Sequence, residues 1–94
     1  MRAEWDSVLE KVLMQPDQQS LIVLFELLLT EEERSAVAGR LKVFQMLLQG
    51  EMSQRQIAQE FEISIATITR CSNYLKHMPV EQRDSIKLLI MDGA

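Results

Sequence analysis

The chain has 94 residues, 14 acids against 10 bases, a single cysteine, and an apolar share of 47% with only three Gly and two Pro. That balance excludes a disordered, collagen-like or disulfide-stapled chain, and the most apolar run, Leu21 to Leu29, falls well short of the roughly 20 apolar residues that span a bilayer. What remains is one small helical domain, residues 1–94, expected in a reducing cytoplasm and of a size at which a partner subunit would add useful burial.

The first helix is expected over about Arg2 to Met14, where Trp5, Val8, Leu9, Val12 and Leu13 recur at three- and four-residue spacing. Pro16 and Asp17 break it. A second helix, about Asp17 to Leu29, is apolar almost all round and so needs cover on every side; in a short chain the natural cover is another copy. Thr30 with Glu33 forms a capping box. It opens a third helix to about Gln49, with Val37, Leu41, Phe44 and Leu48 as its buried set and Gly50 as its stop. Ser53 with Gln56 repeats the capping signal for a short helix ending near Phe61, and after a turn through Glu62 and Ile63 a fifth helix runs from about Ser64 to Lys76. Pro79 starts the last helix, with Val80, Ile86, Leu89 and Ile90 expected inside.

Two short helices joined so tightly suggest a helix-turn-helix at about residues 53–76. Ile57, Phe61, Ile68, Cys71 and Leu75 can form the shared core, while at about 100° per residue Ala66, Thr69, Arg70 and Asn73 fall on the opposite face. A small, polar, basic face allows a helix into the major groove; an ordinary helical hairpin with a solvated polar face has the same spacing. Charge is distributed in the same sense. From Arg40 to Lys76 there are five bases and three acids, a local balance of +2, against −6 for the remainder.

The stretches Leu-Leu-Thr30-Glu-Glu-Glu-Arg34, Gly50-Glu-Met-Ser-Gln-Arg-Gln56, Ile65-Ala-Thr-Ile-Thr-Arg70 and Ser72-Asn73 resemble the Trp repressor family, in register over roughly residues 20 to 80. The resemblance implies an all-α, six-helix subunit with a helix-turn-helix, interlaced in a homodimer that binds a palindromic operator in double-stranded DNA. It further implies that Arg55 meets a guanine edge and that Gln54, Ile65, Ala66, Thr69 and Asn73 approach bases or phosphates, partly through water, with Arg70 and Lys76 among the DNA-facing bases. L-tryptophan is the corepressor that the resemblance implies. Arg40 and Arg70 would sandwich its indole, Arg70 and Thr30 would meet its carboxylate, and carbonyls near Leu27 and Leu29 of the other subunit would accept from its ammonium.

Within that likeness four positions depart from the family pattern. Cys71 stands beside the indole where a glycine is usual, Tyr74 near the amino group where a serine is usual, Ala58 where a base is common, and Glu62 in a turn that often holds glycine. A left-handed backbone at Glu62 would cost about 1 kcal/mol or more, so an altered turn is one expectation. The readings that remain are a tryptophan-responsive repressor, a DNA-binding regulator that takes another ligand or none, and a helical interaction module without DNA binding. Enzymatic chemistry has no support in the residues: one His, one Cys, no carboxylates at metal spacing and no phosphate-cradling glycine loop. No prosthetic group or metal is expected.

Overall fold

The computed structural model describes residues 2–91; the two ends of the 1–94 span lie outside the described residues. Six helices follow one another, α1 (Arg2–Leu13), α2 (Gln18–Leu28), α3 (Glu31–Gln49), α4 (Gln54–Phe61), α5 (Ile65–Lys76) and α6 (Val80–Ile90), with no strand among the described residues. The expected all-α, six-helix subunit is what the chain forms.

The punctuation is local and made by short polar side chains. Asp17 caps α2 by accepting from the Ser20 amide at 2.9 Å. Thr30 and Glu33 form a reciprocal capping box, Glu33 N–H to Thr30 Oγ1 at 3.1 Å and Thr30 N–H to Glu33 Oε1 at 2.9 Å, satisfying two of the amides that a helix start leaves free. Ser53 and Gln56 do the same for α4, at 3.1 and 2.8 Å. Gly50 closes α3 at φ +76°, a left-handed conformation that costs glycine little.

Contacts within the chain fall into two compact units, Met1–Ser35 and Ala36–Ala94, with the boundary inside the first turns of α3. In the first, α2 has no buried residue despite being the most apolar helix: Leu27 is 79% exposed, Val23 58% and Leu28 46%. In the second, Val43, Ile57 and Ile68 are completely buried, joined by Cys71, with Phe44, Leu47, Ala58, Phe61 and Ile63 packed around them.

Two expected buried sets need correction. Val37 and Leu41 of α3 are exposed and Val43 is the residue that α3 buries; in α6, Val80 and Leu89 are exposed and only Ile86 and Ile90 are half-buried. An apolar stripe identifies a face to be covered. It does not say that the same chain covers it.

Candidate nucleic-acid interface

The second unit's core fixes α4 and α5 as a pair. Ile57 from α4 and Ile68 and Cys71 from α5 point into a shared interior with Val43 of α3, and at the far end of α5 Leu75 is buried as well. The turn between the helices is the tight one that the spacing suggested, and it is left-handed: Glu62 sits at φ 54°, ψ 46°. Its amide and that of Ile63 both donate to the Ala58 carbonyl, the latter at 3.2 Å. A non-glycine residue in this region carries about 1 kcal/mol or more of strain, offset here by the two amides bonded to the Ala58 carbonyl and by Ile63 packing against the core. The glutamate therefore does not alter the turn. Ser64 then caps α5, accepting from the Thr67 amide at 3.2 Å and donating to Thr67 Oγ1 at 2.9 Å.

With one side of α5 committed to the core, Ile65, Ala66, Thr69, Arg70, Asn73 and Lys76 all lie exposed, as does Arg55 in the first turn of α4. Gln54, half-buried, turns instead toward α5: its Nε2 donates to Ser72 Oγ at 3.2 Å. This bond ties the start of α4 to the middle of α5, and the sequence alone carried no signal for it. Lys42 on α3 lies over the Phe61 ring, 5.5 Å from its centroid, a cation–π contact that holds the end of α4.

The residues expected to hold a small molecule divide between the two units. In the first, Leu27 and Thr30 are exposed and Leu29 half-buried, and the Leu29 carbonyl already accepts from Arg34 Nη1 at 2.7 Å, leaving one lone pair free. In the second, Arg40 and Arg70 both lie close enough to the Cys71 thiol to favour its thiolate, yet burial outweighs them and pushes the thiol's pKa above its ordinary value. One helical turn beyond each arginine, Phe44 and Tyr74 meet edge to face, 6.2 Å between ring centroids. Tyr74 also lines a recess of about 460 Å³ with Arg70, Asn73, His77 and Pro79; His77 Nδ1 lies 2.7 Å from the Asn73 carbonyl.

A small all-helical protein whose best-formed core clamps two capped helices across a tight left-handed turn, leaving a polar, basic outer face, belongs to a narrow structural class. Comparison with known proteins narrows it to a family. A family model described as Trp repressor protein matches residues 3–89. Trp operon repressor homologs are similar along nearly the whole length: that of Vibrio campbellii is 38% identical over 97% of this chain and 91% of its own, that of Vibrio parahaemolyticus 39% over 93% and 84%, and that of Vibrio cholerae 40% over 95% and 86%. The chain belongs to the Trp repressor family.

Among the described residues no helix is long and apolar enough to cross a membrane, and no group of three or more His, Cys, Asp or Glu could hold a metal ion.

Proposed function

We propose that the protein is a cytoplasmic, sequence-specific transcriptional repressor, active as a homodimer and without enzymatic activity, whose operator affinity is set by L-tryptophan. The observation that carries this reading is the outer face of α5. Ala66, Thr69, Arg70 and Asn73 share it, and the residues opposite them are locked in the core, so a rigid polar surface is offered to a groove. Residues 53–76 are the reading head. Arg55 takes a guanine edge, and Ile65, Ala66, Thr69, Arg70, Asn73 and Lys76 meet phosphates and bases, with ordered water bridging as in the Trp repressor family; Gln54 offers DNA only the amide oxygen and the second N–H that its bond to Ser72 leaves free. The half-sites lie about one helical turn apart.

For the corepressor, the guanidinium groups of Arg40 and Arg70 are suited to stacking on an aromatic ring, and Arg70, with Thr30 assisting, to pairing with a carboxylate; carbonyls near Leu27 and Leu29 of the other subunit accept from the ammonium. Cys71 and Tyr74 add bulk where the family has smaller residues. Tyr74 is 61% exposed, but its edge contact with Phe44 favours a second reading, in which the Tyr74 ring takes the place of a ligand and DNA binding is independent of tryptophan.

Calorimetric titration of the purified protein with L-tryptophan, with indole-3-propionate and L-tyrosine as comparison ligands, separates the two. Saturable binding at one site per subunit, together with tryptophan-dependent operator affinity, is the expected result. Absence of binding by both calorimetry and equilibrium dialysis, with operator binding intact, selects the ligand-independent regulator. Arg55→Ala should lower operator affinity by about 1–3 kcal/mol, roughly 5- to 150-fold; an unchanged affinity would remove the DNA-reading role.

A further inference from the structure

We infer that a cationic recess between the ends of α3, α5 and α6 is a phosphate seat, which receives a backbone phosphate of the DNA duplex and carries the footprint past the reading head onto α6. The inference rests on the DNA-binding reading above and adds to it residues of the last helix, Arg83 and Lys87.

The recess has a volume of about 420 Å³ and is lined by Ser72 and Lys76 of α5 and by Arg83, Asp84 and Lys87 of α6, with Leu47, Leu48 and Leu75 at its apolar side. Three cations to one acid is the reverse of the whole chain, in which acids outnumber bases 14 to 10. Arg83 is held in place: its Nη2 donates to the Leu75 carbonyl at 3.0 Å, near the end of α5. Its Nε is buried and has no partner. A buried, charged N–H without an acceptor is costly and rare, so the Arg83 charge is left largely uncompensated beside the recess.

Position selects the source of that oxyanion. Ser72, 7% exposed, forms part of the lining and accepts the hydrogen bond from Gln54 at the start of α4. Lys76 lies one helical turn beyond Ser72 on α5, with Asn73 of the reading face between them. The recess thus adjoins the reading head at Lys76 and, through Ser72, the residue to which Gln54 is bonded, beside the path that a sugar-phosphate backbone flanking the groove would take. Lys76 and Lys87 also stand in the last turns of their helices, where a cation offsets the helix dipole. That role alone predicts an effect on stability and none on DNA.

The test is the salt dependence of binding to a labelled mixed-sequence duplex and to an operator duplex selected from a random pool by the wild-type protein. Lys87→Gln should weaken both by the same factor and reduce the slope of log K against log salt by up to ~0.9, the value for one phosphate contact. Arg83→Gln should do likewise, and Lys87→Gln keeps the test independent of any folding defect that it causes. If Lys87→Gln leaves slope and affinity unchanged while Arg55→Ala still weakens the operator complex, the seat is not a DNA contact and this inference fails alone. If Arg55→Ala is also without effect, the DNA reading itself fails. Titration with inorganic phosphate, followed by phosphorus NMR, forms the last arm. Phosphate binding that Lys87→Gln abolishes, with duplex binding untouched, would make the seat one for a free anion and overturn the DNA assignment.

Discussion

The α4–α5 pair and α2 are the two extremes of the molecule. The pair is built from polar-faced helices and has completely buried residues within its own chain, Ile57 and Ile68. Helix α2 is far more apolar and buries none. Hydrophobicity therefore does not measure how finished a region is. The α4–α5 pair is complete in one chain, whereas α2 leaves exposed apolar residues of a kind that marks interaction sites, the surface that the proposed homodimer would cover.

That contrast can be broken first at the core. Ile57→Ala should cost about 2–5 kcal/mol, read as a lower urea midpoint. The loss should be of similar size at low and high protein concentration, because it is a loss within one chain. Val23→Asp, on the exposed surface of α2, should instead act through association: a rise of ~10-fold or more in the dimer dissociation constant, about 1.4 kcal/mol, seen by sedimentation equilibrium. If it leaves the oligomeric state unchanged, α2 is not part of the dimer interface.

The remaining effects sharpen the comparison within the reading pair. Glu62→Gly should stabilise by up to about 1 kcal/mol, the relieved left-handed strain being partly cancelled by glycine's greater freedom when unfolded; thermal unfolding measures it. Smallest is the contribution of Cys71. Its pKa is raised by burial against the opposing Arg40 and Arg70, so the folded state holds the proton more tightly than the unfolded one. The resulting stability is full below about pH 8.5, where unfolded thiols begin to ionise, and is lost as pH rises through the folded pKa. Cys71→Ala should flatten that alkaline decline, and iodoacetamide should label native Cys71 more slowly than unfolded protein.

Helix order and helix ends were legible because their determinants are local. Thr30 with Glu33, Ser53 with Gln56, and Gly50 each act within one turn, and each is found doing so. The core of the reading pair was legible too, since Ile57, Ile68, Cys71 and Leu75 recur at helical spacing between neighbouring helices. Burial in α3 and α6 was not. Val37, Leu41, Val80 and Leu89 are apolar at the expected period yet exposed, because periodicity is indifferent to which chain provides the cover. Of the candidate site, the exposed face of α5 could be read from spacing. The Gln54–Ser72 bond and the seat around Arg83 could not, since they join segments whose approach only the folded chain decides.

The nearness of Ile57 to Ile68 along the chain also bears on the order of events during folding. Closing a short segment costs little chain entropy, whereas distant contacts must wait for larger loops to close. Gln45 Nε2 donating to the Ile90 carbonyl at 2.7 Å joins residues 45 positions apart. The α4–α5 hairpin is thus placed to nucleate, with α6 docking afterwards, so that conservative truncations at Ile57 and Ile68 should slow refolding while Gln45→Ala mainly hastens unfolding. A nascent chain would then carry a formed reading head before its last helix is in place.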